Sequence, residues 1–372
     1  MRLMERRYII TGGGTSGHIN PALAIAELLK EDAAKNGDSC KIIFTGRKEG
    51  LEGELVPKAG YDFRDVESLP MPYKPSFQVF KAMSANRRGK KQCLALINDF
   101  KPDCVISTGG YVSAPLIFAA KKAKIPVMIH EANAFPGRAN KLFAKDALVM
   151  TGFPGQEGIF RKAKKVVHTG NPVRSSFFGR TKEDSRKELG IDPDQKLVFT
   201  MGGSLGSATL TNFIFETAKK PGFSDVHFVI SVGKHNSVEI TQDVKDLPNL
   251  EIRNYIDRPD LYMSAADCSI LRAGAVTCAE ITATGACAIM VPYPHAAHDH
   301  QTYNANSLAD KGAGIVVSDD DVKAGKLENV LSGLLNDPER QAAIRKAGLD
   351  LAIKDTGERI TEAIKAALGN NP

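Results

Sequence analysis

The sequence predicts two Rossmann-like, doubly wound α/β domains that face a cleft. Apolar, strand-like runs alternate with helical patterns along all 372 residues, which is typical of this fold class. Most runs are short and continuously apolar, as expected when helices cover both faces of a parallel sheet. A glycine-rich turn follows a strand in each half, at 12–17 and at 202–206. Because such turns lie at the carboxyl ends of strands, they predict a ligand bound between the domains.

The strands are predicted from the apolar runs. The first half has five, at 8–11, 41–45, 104–107, 127–130 and 148–150. The second half has six, at 197–201, 227–231, 251–254, 268–271, 288–291 and 315–317. Pro172 and the polar residues after it fit a connection, so we place the domains at 1–171 and 172–351. Apolar residues recur at helical spacing in the tail, and we expect a helix over 352–372 that packs back on the first domain.

The composition is that of a globular protein, with 42% hydrophobic and 25% charged residues. No apolar stretch reaches the roughly 18 residues of a membrane-spanning helix, and no signal-peptide core precedes the first strand. Six cysteines are scattered without a C-x-x-C pair, as in a reducing compartment. We therefore expect the chain to stay in the cytosol.

The first glycine-rich turn predicts a phosphate site. Gly12, Gly14 and Gly17 match G-x-G-x-x-G between a strand and a helix. A dinucleotide site also needs a carboxylate at the tip of the second strand. That strand ends in T-G-R, and Glu49 lies farther into the loop, which disfavours an NAD-dependent oxidoreductase. No Gly-Lys-Ser/Thr is present either, so the turn is not a Walker loop, and a phosphate at the helix start remains.

The segment 68–98 is basic and partly apolar. It has no acidic residue, and its basic residues are Lys74, Lys81, Arg87, Arg88, Lys90 and Lys91. Its apolar residues include Phe77, Val79, Phe80 and Met83. Either the segment binds an anionic membrane surface together with Lys141 and Lys145, or it is a solvated helix with phenylalanines in the core. We expect no nucleic-acid partner, because aromatic platforms and a binding motif are missing.

Seven segments point to one family. In order they are "GGGTSGHINPALAIA", "STGGYVSAP", "IHEANAFPGRANKLFAK", "TGNPVR", "GGSLG", "LRAGAVTCAEI" and "PYPHAAHDHQTYNA". Over nearly its whole length the chain resembles the MurG family, the bacterial undecaprenyl-diphospho-muramoyl-pentapeptide β-N-acetylglucosaminyltransferases. The resemblance implies a GT-B fold. It also implies inverting, metal-free transfer from UDP-N-acetylglucosamine to the 4-hydroxyl of the lipid-linked N-acetylmuramoyl-pentapeptide in peptidoglycan synthesis, without a cofactor. A lipid-linked acceptor favours peripheral binding at the cytoplasmic face of the cell membrane.

The resemblance implies a donor site mainly on the second domain. Glu280 matches a glutamate that accepts hydrogen bonds from the uridine ribose, and a carboxylate suits a vicinal diol. The N–H groups of Ala275, Val276 and Thr277 begin the same helix and can meet the diphosphate. Arg174 matches an arginine on that diphosphate.

Five further residues complete the implied donor site. Ser204 matches a serine near the phosphates, and the backbone of Ile256 matches a uracil contact. Gln301 and Asn304 match residues that contact the sugar hydroxyls. Asn133, from the first domain, matches an asparagine that contacts the donor sugar.

The acceptor diphosphate is expected over the first turn, at Thr15, Ser16 and Gly17. His18 follows directly, and an imidazole there can accept the proton of the muramoyl 4-hydroxyl. A loop histidine that merely caps the helix fits the sequence equally well. Two further catalytic candidates implied by the resemblance are Tyr111 and Glu131.

Three departures from the family pattern keep a second function open. Ser16 stands where Gly is frequent, while Leu205 and Ala132 stand where Gln is usual. The two lost amides leave a non-catalytic nucleotide-sugar-binding protein as the alternative.

No metal site is expected. The histidines of "HAAHDHQ" have no usual zinc spacing, and the acidic run 319–321 is interpreted as a solvated helix N-cap. Arg272 either assists the diphosphate or pairs with an acidic neighbour.

Overall fold

The chain divides into two compact units. The first contains the chain up to Pro172 and again from Asp355, and the second is Val173–Lys354. The computed structural model describes residues 5–369 apart from 73, 75, 204–205 and 234–236. The division therefore lies close to the boundaries expected at 171 and 351.

The first unit is built on a parallel seven-stranded sheet. Its strands are β1 (Glu5–Thr11), β2 (Ser39–Gly46), β3 (Asp62–Asp65), β4 (Cys104–Ser107), β5 (Val127–Glu131), β6 (Leu148–Thr151) and β7 (Lys165–His168). Their order is β3-β2-β1-β4-β5-β6-β7. The order reverses between β1 and β4, where doubly wound domains bind ligands. The five strands predicted here are confirmed. Sequence periodicity misses β3 and β7 because both are short edge strands without a fully buried residue.

Helices cover both faces of this sheet. They are α1 (Ser16–Lys35), α2 (Leu51–Lys58), α3 (Phe77–Phe100), α4 (Ala114–Ala123) and α5 (Arg138–Phe143), with a short 3-10 helix at Tyr111–Ser113. Neighbouring residues of β1 belong to opposite cores: Ile10 lies in the core that contains α1, and Ile9 in the core that contains α3 and α4. Burial on both faces explains why the strands read as continuous apolar runs.

The second unit has the same plan. Its strands are β8 (Lys196–Met201), β9 (Val226–Ser231), β10 (Leu250–Arg253), β11 (Cys268–Leu271), β12 (Ala288–Met290) and β13 (Ile315–Val316), and all six are predicted. They lie parallel in the order β10-β9-β8-β11-β12-β13. The helices are α6 (Lys182–Leu189), α7 (Ala208–Ala218), α8 (Gln242–Lys245), α9 (Pro259–Ala265), α10 (Ala275–Thr284), α11 (His300–Ala309), α12 (Asp319–Lys323), α13 (Lys326–Leu335) and α14 (Pro338–Leu351).

The C-terminal helix, α15 (Thr356–Leu368), begins later than predicted. At Ala352 the backbone turns extended, with ψ 132°, and α14 ends. The expectation of a helix from 352 is therefore wrong at its start. α14 packs on α10, whereas α15 packs on α1 through the buried Ile360 and Ile364. The helical spacing of apolar residues continues across this change of partner, so it does not reveal the break.

Candidate active-site residues

The first glycine-rich turn presents backbone N–H groups at the start of α1. Gly14 has a φ of 83°, a conformation that favours glycine. Thr15 is the N-cap, and its side chain makes no capping hydrogen bond. Within the described ranges, the N–H groups of Thr15, Ser16 and Gly17 have no hydrogen-bond acceptor. The turn can therefore donate to an anion.

His18 is held in one orientation beside this turn. Its Nδ1 lies 3.0 Å from the carbonyl oxygen of Thr108. Since a carbonyl only accepts, Nδ1 carries the proton and Nε2 is the basic nitrogen of the neutral ring. The ring packs on Gly109, where a Cβ would lie 3.0 Å from Nδ1. The geometry therefore suits a general base.

Tyr111 covers the same turn. A Cβ on Gly14 would lie 3.5 Å from the Cε1 of Tyr111. The tyrosine hydroxyl accepts a hydrogen bond of 3.3 Å from Nη1 of Arg47. The predicted candidates Tyr111 and His18 thus lie around one turn.

Glu131 organises the segment that follows β5. Its carboxylate is buried and accepts from the Asn133 N–H (3.0 Å), the Asn133 Nδ2 (3.3 Å), the Gly137 N–H (2.9 Å) and the Asn140 Nδ2 (2.9 Å). A Cβ on Gly109 would lie 3.2 Å from that Asn140 nitrogen. Because these bonds hold the segment from Asn133 to Asn140, the contacts of Glu131 are those of a positioning group.

In the second unit, α10 begins at the predicted donor residues. Gly274 is the N-cap, Ala275 is buried, and Val276 and Thr277 are half-buried. In the described part of the chain, the N–H groups of Val276 and Thr277 have no hydrogen-bond acceptor. This helix start can also meet an anion.

Two predicted sugar contacts hold the turn before α10. The Oε1 of Gln301 accepts from the N–H of Ala273 (3.2 Å) and of Tyr293 (2.9 Å). The Nδ2 of Asn304, a fully buried side chain, donates to the carbonyl oxygen of Ala273 (3.2 Å). Both amides therefore fix the peptide that leads into the helix.

Glu280 lies on α10, and burial raises its pKa to about 7, with Arg174 acting in the opposite direction and Asp260 adding to the rise. Arg174 is exposed, and its guanidinium carbon lies 5.3 Å from the centre of the Phe177 ring. Ile256 is buried between β10 and α9. The Arg174 guanidinium is thus near enough to the Glu280 carboxylate to act on its pKa.

The acidic run 319–321 is solvated at Asp320 and Asp321 but not at Asp319. Ser318 caps α12, and Asp319 is buried in an ion pair of 2.8 Å with Arg272. Arg272 Nη2 also donates to the Ser207 Oγ at 2.7 Å. The solvated interpretation is wrong for Asp319 because its carboxylate neutralises a buried guanidinium. Of the two alternatives for Arg272, the structure shows the acidic partner.

Two further features concern Ser204 with its neighbour Leu205 and the side chains that could bind a metal. Ser204 and Leu205 lie outside the described residues. Among the described residues, no group of three or more His, Cys, Asp and Glu side chains could hold a metal ion.

Comparison with known proteins identifies the family. Residues 8–150 match the glycosyltransferase family 28 N-terminal domain, and 197–360 match its C-terminal domain. The UDP-N-acetylglucosamine--N-acetylmuramyl-(pentapeptide) pyrophosphoryl-undecaprenol N-acetylglucosamine transferase of Acetivibrio thermocellus is 36% identical, over 98% of this chain and 99% of the relative. The chain belongs to the MurG family. The Thermoanaerobacter sp. (strain X514) member of the same name is 36% identical, over 97% and 99%. The crystal structure of Acinetobacter baumannii MurG matches with a TM-score of 0.74 and 25% identity, over 96% and 98%.

The MurG resemblance, the glycosyltransferase class and the two-domain α/β GT-B fold are thereby confirmed. The structure adds one residue that the sequence prediction misses. Glu52, in the first turn of α2, accepts the N–H of Gly14 at 3.1 Å. A search confined to the tip of β2 does not find it, because the carboxylate arrives from the next helix. The glycines around Glu52 are the sequence feature that points to it, because a Cβ on Gly46 or Gly50 would collide with its side chain.

Proposed function

We propose that the chain transfers N-acetylglucosamine from UDP-N-acetylglucosamine to the 4-hydroxyl of lipid-linked N-acetylmuramoyl-pentapeptide, with inversion, in peptidoglycan synthesis. The relatives carry this activity in their names. The structural observation that carries the proposal is His18, whose Nδ1 bond leaves Nε2 as the base beside an anion-binding turn. The imidazole accepts the hydroxyl proton as the oxygen attacks the anomeric carbon and UDP leaves.

The donor binds the second unit. Glu280 accepts from the ribose hydroxyls, and the backbone of Ile256 contacts uracil. The helix start at Ala275, Val276 and Thr277 stabilises the leaving diphosphate. The remaining donor contacts in the proposal come from Arg174, Ser204, Gln301, Asn304 and Asn133.

The acceptor diphosphate binds the N–H groups of Thr15, Ser16 and Gly17. His18 is the catalytic base. Tyr111 closes over the turn, and Glu131 acts as a positioning residue because it fixes Asn133. No cofactor or metal enters the proposed reaction, since dipoles and Arg174 stabilise the leaving charge.

We propose that the first unit binds the anionic cytoplasmic face of the cell membrane. Phe77 and Phe80 are 87% and 70% exposed, with ring centres 6.4 Å apart, and Met83 is exposed beside them. Of Phe77, Val79, Phe80 and Met83, only Val79 is half-buried, so Phe77 and Phe80 do not lie in the core. The same helix carries exposed basic residues, among them Lys81 and Arg87, which suit anionic headgroups. No helix in the described ranges is long and apolar enough to cross a membrane.

A transfer assay tests the function directly. The full chain, lipid-linked muramoyl-pentapeptide in detergent and radiolabelled UDP-N-acetylglucosamine should yield a labelled lipid-linked disaccharide. Titration calorimetry with UDP-N-acetylglucosamine runs in parallel. Binding without transfer would replace the proposal with the nucleotide-sugar-binding alternative.

A further inference from the structure

Arg47 occupies a position that ligands of the first turn can reach. It is the first residue after β2, the strand that pairs with β1. In doubly wound domains, the tip of this strand meets the ligand on the first glycine-rich turn, and an arginine nearby accommodates a phosphate on the ribose of NADP. The chain thus places a cation where the sequence prediction looked for a carboxylate.

The guanidinium of Arg47 keeps most of its donors available. Nη1 donates to the hydroxyl of Tyr111, whose ring covers Gly14. Nη2 lies 3.8 Å from the exposed carboxylate of Glu49, too long for a hydrogen bond. Such a surface pair contributes little. Since a guanidinium has five N–H donors, Arg47 can still grip an anion.

Glu52 fixes the position of Arg47 relative to the turn. One carboxylate oxygen accepts from the N–H of Gly14 (3.1 Å) and the other from the N–H of Arg47 (3.2 Å). The side chain is 1% exposed. A Cβ on Gly13 would lie 2.6 Å from its Cδ, so the glycines leave just enough room for the carboxylate. The turn and the tip of β2 are therefore one braced unit.

Arg47 lines a cavity of about 240 Å³. Lys81 and Arg88 of α3 also line it. Three acidic residues line it: Glu67 is paired with Arg88, Asp65 accepts from a backbone N–H, and Glu49 is the exposed neighbour of Arg47. The cavity thus places Arg47 beside basic residues of the helix that carries the exposed phenylalanines.

We propose that Arg47 binds a phosphate of the acceptor diphosphate and that Glu52 is its positioning residue. The proposal rests on the function proposed above and adds a residue to the acceptor site. A guanidinium forms paired, charge-assisted hydrogen bonds with phosphate oxygens. These bonds supplement those from the N–H groups of 15–17.

The test compares Arg47→Ala with Arg64→Ala, an exposed arginine on the neighbouring strand β3. In the transfer assay, Arg47→Ala should raise the acceptor KM by about 10- to 100-fold, the usual weight of a charge-assisted contact. The KM for UDP-N-acetylglucosamine should stay at its wild-type value. Inorganic pyrophosphate should compete with the acceptor less well against Arg47→Ala, whereas Arg64→Ala should behave as wild type in every assay.

The outcomes distinguish a failure of the proposed function from a failure of the proposed role of Arg47. An inactive wild-type chain refutes the proposed function. An active wild type together with an unchanged acceptor KM in Arg47→Ala overturns the role of Arg47. A raised KM with undiminished pyrophosphate inhibition overturns the diphosphate as its ligand. If Arg47→Ala unfolds, Arg47→Gln decides, because it keeps part of the side chain and an N–H donor but lacks the charge.

Discussion

The turn before α1 and the turn before α10 are braced by different chemistry. Before α1, the carboxylate of Glu52 accepts the N–H of Gly14. Before α10, the neutral amide of Gln301 accepts the N–H of Ala273, and Asn304 donates to the carbonyl of the same residue. A negative charge close behind an anion-binding turn repels the anion. The first turn therefore needs a compensating cation, which the neutral brace of the second turn does not require.

The two units also differ in the apolar side chains that they expose. Among the described residues, the first unit exposes Phe77, Phe80 and Met83. The large apolar residues exposed by the second unit include Tyr255, Tyr293 and Tyr303, whose hydroxyls suit water. The unit with the charged brace is thus also the one that exposes the phenylalanines of α3.

The largest expected effect concerns the base at the first turn. His18→Ala should lower kcat by about 10²- to 10⁴-fold, the usual contribution of general base catalysis. Donor affinity should not change, since the proposed donor site lies mainly on the second unit. Transfer kinetics and calorimetry with UDP-N-acetylglucosamine measure the two quantities. Wild-type kcat in the variant would exclude His18 as the base.

The second effect concerns the carboxylate at the donor turn. Burial raises the pKa of Glu280 to about 7, so the group is ionised above that pH and protonated below it. A carboxylate accepts from both ribose hydroxyls, whereas the acid loses one acceptor role. Donor affinity should therefore weaken as the pH falls through 7, by up to about tenfold per pH unit.

Two variants isolate this titration. Glu280→Ala should weaken donor binding by about 10- to 100-fold at pH 8. Glu280→Gln should bind weakly with an affinity that is flat between pH 6 and 8. Calorimetry over this range gives the profile. A wild-type slope in Glu280→Gln would assign the titration to another group, and unchanged affinity in Glu280→Ala would refute the ribose contact.

A smaller effect tests the charged brace. Glu52→Gln turns an amide nitrogen towards one of the two N–H groups that the carboxylate accepts, so the turn and the tip of β2 lose a shared bond. The acceptor KM should rise by about tenfold, and thermal stability should fall. Gln301→Ala is the matched change at the other turn, where only donor KM should respond. If Glu52→Gln loses stability with an unchanged acceptor KM, the brace supports the fold alone.

The sequence predicts both sheets because their strands are buried on two faces and read as apolar runs. It misses β3 and β7, whose four residues each are exposed or half-buried and carry no such pattern. The family motifs predict the residues around each turn. They do not reveal the support behind the turns, because Glu52 and the partner of Arg272, Asp319, reach their targets from helices distant in sequence. Such contacts depend on packing between elements, which residue spacing does not encode.

The smallest effect concerns the exposed face of α3. The chain should bind vesicles with anionic headgroups and leave neutral ones unbound. Raising the salt from about 0.1 M to 1 M shortens the Debye length from about 10 Å to 3 Å, so binding should decline. Phe77→Ser with Phe80→Ser should weaken binding by about threefold to tenfold, because less apolar surface enters the headgroup region. Tyr255→Ser in the second unit is the control. Vesicle co-sedimentation measures the binding of the wild type, the double phenylalanine variant and the control. Binding that is insensitive to salt and to both phenylalanine changes would show that α3 is not the membrane-binding surface.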